Sequence, residues 1–239
     1  MAWLTLVRHG ESQWNLEQRF TGWADVELTP RGIEQMRSAG EALRRQGIEL
    51  DLAYSSALTR CIRSLWVLLE TLGCVWVPQR IDWRLNERHY GALTGCLKTQ
   101  AEAEFGAAAV QRWRRTYDAQ PPALDAASAE YVKIDRRYAG LAAGRIPSSE
   151  SLRQTVARVS EAWQDSIVPA LRMGQSVVIV AHGNSLRALT KLIEGLSDTE
   201  IAQVEIGNGE PCIYELDATL KVRGKCILTQ ATRSGSDIL

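Results

Sequence analysis

A strand followed by His-Gly occurs twice in this chain, and this repeated unit constrains the fold more than any other feature. The apolar run Leu4–Val7 ends at Arg8-His9-Gly10, and Val177–Val180 leads through one alanine to His182-Gly183. Short apolar runs that stop at a polar turn are typical of buried strands. Ligands of open parallel α/β sheets bind beyond the carboxyl ends of the strands. If the two strands are neighbours, His9 and His182 face each other across one pocket.

A single histidine near a strand end is more often a hydrogen-bonded structural residue than a catalyst. Here two of the three histidines in the chain share the same local setting. That coincidence favours a shared active site over two unrelated structural residues.

Apolar periodicity elsewhere predicts strands that alternate with helices. The predicted strands are Leu4–Val7, Leu52–Ser55, Cys74–Val77, Val177–Val180 and Cys212–Leu216. Helices are expected after Thr29-Pro30, at Ile62–Leu72, over Leu97–Tyr117 with a break near Gly106, over Ser149–Leu171 with a disturbance at Pro169, and over Ser185–Glu194. This order predicts an α/β fold in which a mainly parallel central sheet lies between two helix layers, as one domain over residues 1–239.

Composition excludes several classes of function. Lys+Arg and Asp+Glu balance at 28 each, so no global field favours nucleic acid or an anionic membrane. The five cysteines are odd in number and widely spaced, which argues against a disulfide framework or a zinc site and fits a reducing cytoplasm. No signal peptide is visible, and no apolar run approaches the ~18 residues of a membrane span. We expect a soluble cytoplasmic protein.

Arg80–Gly95 has no regular periodicity and many ionisable side chains, which is typical of a functional loop. Together with the two His-Gly units, it belongs to a set of motifs that resembles the histidine phosphatase superfamily, and more specifically the cofactor-dependent (2,3-bisphosphoglycerate-dependent) phosphoglycerate mutases. The motifs are Arg8–Asn15, Phe20–Trp23, Ser56–Arg60, Arg84–Gly91, Trp113–Arg115, Glu150–Leu152 and Ala181–Arg187. The resemblance extends from about residue 3 to about residue 217, with a phosphoglycerate mutase-like fold as the expectation.

The chemistry of these residues suits phosphoryl transfer. His9 is the candidate nucleophile, because the nearby cations Arg8 and Arg60 disfavour its protonated form and can hold phosphate oxygens. His182 would stabilise the equatorial oxygens of the transferring group. Glu87 is equally consistent with a general acid/base and with an ion pair to a neighbouring arginine, and the resemblance decides for catalysis. No carboxylate cluster resembles a magnesium or manganese site, so we expect no metal.

The resemblance also implies a set of substrate-binding residues. Besides Arg8, Arg60 and Glu87, these are Ser12, Asn15, Thr21, Gly22, Arg88, Tyr90, Lys98, Arg114, Arg115, Gly183 and Asn184. His89 and Arg136-Arg137 are expected to have no catalytic part.

The resemblance implies an isomerase of glycolysis and gluconeogenesis. It would interconvert 3-phosphoglycerate and 2-phosphoglycerate through a phosphohistidine that 2,3-bisphosphoglycerate primes, as a homodimer or homotetramer. The alternatives are a phosphatase of small phosphate esters and a weakly active module that binds phosphorylated metabolites.

The chain departs from the family at three places, one of which is the only loosely similar region from Asp118 to Gly144. Leu97 stands where the family usually has asparagine, and the sequence from about residue 218 diverges. We expect residues 230–239 to close the site less completely than the usual tail does.

Overall fold

A computed structural model describes residues 2–125, 135–142 and 144–229 of the chain. Six strands form one sheet in the order β3-β2-β4-β1-β5-β6. The strands are β1 (Ala2–Arg8), β2 (Leu52–Ser55), β3 (Gln79–Ile81), β4 (Val177–Ala181), β5 (Pro211–Leu216) and β6 (Val222–Ile227). The four strands from β3 to β1 are parallel, and β5 and β6 pair antiparallel. The predicted α/β fold with a mainly parallel sheet is confirmed.

Helices cover both faces of this sheet. They are α1 (Gln13–Leu16), α2 (Pro30–Arg45), α3 (Thr59–Leu72), α4 (Lys98–Phe105), α5 (Ala107–Arg115), α6 (Leu152–Ala162), α7 (Val168–Arg172), α8 (Gly183–Glu194) and α9 (Glu200–Gln203). Short 3₁₀ turns occur at Trp83–Leu85, Gly91–Leu93 and Arg136–Tyr138.

Strand β4 explains why the layers assemble. Its five residues are all apolar and fully buried. Alternate side chains point to opposite faces of a strand, and they join different cores here: Ile179 packs with α6, α7 and α8, whereas Val178 and Val180 pack with α2 and α3. A strand covered on both faces is apolar throughout.

The third strand lies elsewhere than the sequence predicts. The chain from Cys74 to Val77 forms turns after α3, with hydrogen bonds from Cys74 N–H to Leu69 and from Val77 N–H to Cys74. Strand β3 begins only after Pro78, and its three residues are exposed. An exposed edge strand needs no apolar pattern. The prediction of a strand from the apolar run before it was therefore wrong.

Two more elements differ from expectation. The single helix predicted over Ser149–Leu171 contains a π-helical turn at Trp163–Ile167, directly before the helix that holds Pro169. Proline cannot donate the usual backbone bond, so a local change of helical pitch is the expected response. Strand β6 was not predicted, because its side chains alternate between half-buried and exposed.

The predictions for residues 230–239 lie outside the described residues, as does part of the loosely similar region between residues 118 and 144. No helix in the described ranges has the length and apolar character that crossing a membrane requires.

Candidate active site

Parallel pairing of β1 with β4 brings the two His-Gly units together. Arg8 lies opposite Ala181 in the register, and the next amide, His9 N–H, donates to the Ala181 carbonyl at 3.0 Å. The imidazole centroids of His9 and His182 are 4.9 Å apart, with the ring planes at 64°. The predicted juxtaposition of the two histidines is therefore present in the structure.

The hydrogen bond of His9 defines which nitrogen can react. Its Nδ1 lies 2.7 Å from the Gly10 carbonyl oxygen, which can only accept, so Nδ1 carries the proton and Nε2 keeps its lone pair. The ring is 3% exposed. Burial, followed by the charges of Arg60 and Arg8, lowers its pKa well below 6.5. His9 is consequently neutral at pH 7, which suits the role of the candidate nucleophile.

Glycine is required beside this nucleophile. A Cβ on Gly10 would stand 2.1 Å from the carbonyl oxygen of Gly32 in α2, far inside contact distance. The Gly10 amide also donates to Ser64 Oγ of α3 at 3.1 Å. The backbone at the nucleophile is thus packed directly against the two helices on one face of the sheet.

His182 precedes α8 and is completely buried. Its Nε2 lies 2.8 Å from Ser56 Oγ and 3.2 Å from Cys61 Sγ. Burial, then the charge of Arg60, lowers its pKa well below 6.5. Burial also raises the pKa of the Cys61 thiol to about 12, so the sulfur beside His182 is uncharged at neutral pH.

Two arginines supply positive charge at the histidine pair. Arg60, in the first turn of α3, is 1% exposed and donates to the carbonyls of Ala24 and Gly22, each at 2.8 Å. Arg8 donates through Nη1 to the Ile206 carbonyl at 2.9 Å. These acceptors are neutral carbonyls, and neither guanidinium forms an ion pair within the described residues, so both can attract a phosphate.

Glu87 approaches from the long loop that was predicted to be functional. Its Oε1 accepts the amides of Arg88 at 2.8 Å and Asn184 at 3.2 Å, and the Asn184 side chain at 3.0 Å. All three of these donors bind the same oxygen, and Oε2 lies 3.8 Å from the position of a Cβ at Gly183. The carboxylate is held at one oxygen, and its second oxygen can exchange a proton with a ligand.

Except for His182, these groups line a cavity of about 390 Å³. We call its buried part, formed by His9, Arg60 and Glu87 with His182 directly behind His9, the floor. The rim is formed by half-buried Lys98, Arg114 and Arg115 and by exposed Glu205. Arg8, Arg19 and Arg187 also lie in the wall, so seven basic side chains surround a space with two carboxylates. This excess of positive charge suits an anionic ligand.

Two wall residues have polar atoms without a partner among the described residues. They are Arg8 Nε and Thr21 Oγ1, and both atoms are buried. Buried polar atoms are rarely left unbonded in proteins. A ligand oxygen at the cavity would provide the missing acceptor for both.

The family comparison agrees with this geometry. The model of the histidine phosphatase superfamily (branch 1) matches residues 4–141 and 125–222 of the chain. The chain belongs to the histidine phosphatase superfamily.

Solved structures with the same fold include a mycobacterial glucosyl-3-phosphoglycerate phosphatase. It shares 25% identity over 90% of this chain and 93% of its own, with a TM-score of 0.68. A putative alpha-ribazole-5'-P phosphatase from Escherichia coli shares 20% identity over 95% and 94% of the two chains, with a TM-score of 0.69. Bacillus stearothermophilus YhfR shares 24% over 91% and 92%, with a TM-score of 0.69. The last two likenesses show the fold alone.

The structure brings most of the predicted site residues of this superfamily member into the cavity wall. They are Arg8, His9, Asn15, Thr21, Gly22, Arg60, Glu87, Tyr90, Lys98, Arg114, Arg115, Gly183 and Asn184. His182 lies behind the wall against His9. Gly22 adopts a left-handed conformation with φ 51°, and its carbonyl is one of the two that hold Arg60.

Ser12 and Arg88 lie outside the wall, in contrast to the prediction. Ser12 is fully buried and caps α1, where its hydroxyl accepts the Asn15 amide. Arg88 is also fully buried, donates to the Trp113 carbonyl at 2.9 Å and stacks 4.8 Å from the Tyr90 ring centroid. Each residue supports a neighbour that lines the cavity. A motif match cannot distinguish this supporting role from direct binding of a ligand.

Sequence analysis missed three charged wall residues: Arg19, Arg187 and Glu205. Arg187 follows His182 by five residues in the first turns of α8, and its position in the His-Gly motif was an available signal. Arg19 and Glu205 come from loops without periodicity, where only the fold reveals proximity. Within the described residues, no group of three or more His, Cys, Asp or Glu side chains could hold a metal ion.

Proposed function

We propose that this chain is a phosphoglycerate mutase that interconverts 3-phosphoglycerate and 2-phosphoglycerate. The supporting observation is the division of positive charge between floor and rim. Arg60 lies at the nucleophile, while α4 and α5 contribute Lys98, Arg114 and Arg115. A ligand with a phosphate at His9 and a second anionic group would use both sets. Phosphoglycerates carry such a pair, a phosphate and a carboxylate, on a three-carbon chain.

In the proposed reaction, His9 Nε2 attacks the phosphorus and forms a phosphohistidine. The ester P–O bond breaks, its electron pair stays on the substrate oxygen, and Glu87 supplies the proton that this oxygen takes up. Arg8, Arg60 and His182 stabilise the charge on the equatorial oxygens. In the reverse half-reaction Glu87 takes the proton from the hydroxyl that attacks the phosphohistidine. When bound, 2,3-bisphosphoglycerate would supply the priming phosphoryl group, and the basic wall fits its charge.

The second candidate is a phosphatase of small phosphate esters, with water as the acceptor. The comparisons support it better than they support the mutase, because the reported solved structure with 25% identity is named as a glucosyl-3-phosphoglycerate phosphatase. The floor serves either reaction equally, since both form the phosphohistidine. The difference lies in how well water is excluded from that intermediate.

One assay separates the candidates: conversion of 3-phosphoglycerate with and without 2,3-bisphosphoglycerate, in EDTA, with 2-phosphoglycerate and inorganic phosphate both measured. A mutase forms 2-phosphoglycerate, faster with the bisphosphate, and releases little phosphate. A phosphatase releases phosphate regardless of the bisphosphate. Activity lost in EDTA and restored by added magnesium or manganese would contradict the metal-free mechanism. No turnover beyond that of His9→Ala would leave only the binding module.

We further propose a homodimer or homotetramer in a reducing cytoplasm. Support for the association is the exposed apolar side chains Val75, Trp76 and Ile81, which lie in edge strand β3 or directly before it. Support for the compartment is that all five cysteines are free thiols. Sedimentation equilibrium of the chain and of Trp76→Arg tests the first proposal: a lower mass for the variant is expected, and a monomeric wild type would contradict it.

A further inference from the structure

A buried ion pair without an assigned role lies directly behind Glu87. Glu150 and Arg158 are 3% and 7% exposed. Arg158 donates through Nε to Glu150 Oε1 at 2.9 Å and through Nη2 to Oε2 at 2.8 Å. This is the two-pronged geometry that only a guanidinium provides. Glu150 directly precedes the cap of α6, and Arg158 lies two turns further along that helix.

The same pair holds the backbone on both sides of Glu87. Arg158 Nη1 donates to the carbonyls of Arg84 at 2.7 Å and Asn86 at 3.2 Å, and Nη2 reaches the Glu87 carbonyl at 3.4 Å. On the other side, Glu150 Oε2 accepts the His89 amide at 2.8 Å, and the Glu150 amide donates to the His89 carbonyl at 2.8 Å.

A second contact secures the same peptide. Trp23 Nε1 donates to the Glu87 carbonyl at 2.6 Å, and the Arg158 guanidinium lies 5.5 Å from the Trp23 ring centroid. The Glu87 carbonyl therefore has two donors, and its side chain has three others on Oε1. The loop has no regular secondary structure between its two 3₁₀ turns, so these bonds are what define its path.

Stability alone does not explain the pair. Removing two charges from water costs about as much free energy as their attraction returns. Replacing such a pair by apolar residues often leaves the stability unchanged or raises it. The Arg158 guanidinium does provide a fixed set of N–H donors for backbone carbonyls that have no partner within the loop.

We propose that Arg158 and Glu150 are positioning residues that hold the Glu87 carboxyl at proton-transfer distance from the substrate oxygen. The proposal rests on the function proposed above, in which Glu87 is the proton donor.

A leaving-group test separates positioning of Glu87 from general support of the fold. An alcohol leaving from an alkyl phosphate needs a proton, whereas p-nitrophenolate is stable without one. A displaced Glu87 thus slows 3-phosphoglycerate turnover far more than p-nitrophenyl phosphate hydrolysis. A general loss of structure slows both reactions together.

The experiment compares Arg158→Lys, Glu150→Gln and Glu87→Gln with wild type on both esters. Arg158→Lys keeps the charge but loses the fork, and Glu150→Gln keeps an acceptor for His89. We expect Glu87→Gln to lower the alkyl rate ~10²–10⁴-fold, and each pair variant to lower it ~10–10²-fold, as for other misplaced groups. KM should change little. The matched control is Glu161→Gln. Glu161 lies on the same helix as Arg158 and forms an exposed ion pair with Arg145, so this variant should leave both rates unchanged.

The double variant Glu87→Gln/Arg158→Lys should be no slower than Glu87→Gln alone, because a positioning effect disappears with the group it positions. The proposal would be overturned if either folded pair variant lost rate equally on both esters. It would also be overturned if the rate losses were additive in the double variant. A Glu87→Gln variant without leaving-group dependence would overturn it as well. A wild type that hydrolyses p-nitrophenyl phosphate but not 3-phosphoglycerate would contradict only the proposed substrate, and glycerol 3-phosphate then serves as the alkyl ester.

Discussion

The floor and the rim of the cavity both carry ionisable side chains, but in different surroundings. On the floor, His9, Arg60 and His182 are 3%, 1% and 0% exposed, and each has short hydrogen bonds to fixed partners. On the rim, the Arg115 and Glu205 side chains are 38% and 77% exposed and meet through one contact of 3.3 Å.

This difference in burial divides the work of the site. Charges removed from water interact strongly and are little screened by salt. Burial, with the nearby arginine charges as a smaller cause, lowers the pKa values of His9 and His182. Exposed charges on long side chains interact weakly and can move. We therefore assign the chemical step to the floor and the choice of ligand to the rim.

The largest expected effect is on the floor. His9→Ala removes the nucleophile and should abolish phosphoryl transfer. Incubation of wild type with 2,3-bisphosphoglycerate should add one phosphate that is labile in acid and stable in base, as intact-mass spectrometry can measure. His89→Gln is the matched control, because His89 lies outside the cavity wall, and it should still be labelled. Equal labelling of His9→Ala would disprove the assignment of the nucleophile.

The floor was predictable because its residues belong to short contiguous motifs. His9 and His182 directly follow strands whose apolar character is visible in the sequence, and the two strands are neighbours in the sheet, as expected. Strand β2, which lies beside β4 in the parallel part of the sheet, was predictable for the same reason. By contrast, β3 and β6 are edge strands whose residues are exposed or only half-buried, so neither has the apolar run of a buried strand.

The second prediction moves to the rim. Arg114→Gln should raise KM for 3-phosphoglycerate ~10–10²-fold, the value of a hydrogen bond to a charged group, with kcat changed much less. KM for p-nitrophenyl phosphate, which lacks a second anionic group, should change little. Arg112→Gln is the control, since Arg112 is exposed on the same helix and lies outside the wall. A fall in kcat on both esters would place Arg114 with the floor.

The rim residues were harder to predict from the sequence, because they come together only in the folded chain. Glu205 lies 90 residues beyond its partner Arg115, and no local pattern connects them. The loop before β5 enters the wall because β5 pairs antiparallel with β1, a pairing that brings Ile206 to Arg8. Ser12 and Arg88 show that a motif match can also predict too many wall residues. Both belong to the matching motifs, yet Ser12 caps a helix and Arg88 supports neighbouring residues.

The third prediction concerns acid stability near the floor. Burial lowers the pKa of His89 to about 4, against the opposing charge of Glu150, and its Nδ1 accepts the Gly91 amide. Between pH 6.5 and about 4 the unfolded chain protonates this histidine while the native chain does not. The unfolded state therefore binds more protons, and the free energy of unfolding decreases as the pH falls through this window. His9 and His182 act in the same direction.

For His89 alone, the folded-to-unfolded ratio should fall on the order of 10-fold by pH 5. Urea unfolding at pH 7 and pH 5 measures this, with His89→Gln as the comparison. The variant should lose less stability than wild type on acidification. Parallel pH dependence in the two proteins would mean that His89 is not held neutral.

The smallest expected effect belongs to Glu205. Its carboxylate neutralises part of the charge of Arg115 and competes with the second anionic group of a ligand for that guanidinium. An exposed pair of this kind is worth little, so Glu205→Gln should lower KM for 3-phosphoglycerate by no more than ~5-fold. The gain should disappear at high ionic strength, because salt screens exposed charges. Glu41→Gln, an exposed carboxylate on α2 outside the wall, controls for net charge and should change nothing. If Glu205→Gln lowers KM equally for p-nitrophenyl phosphate, or if the gain persists in high salt, Glu205 acts on the reacting phosphate itself and the rim is not separate from the floor.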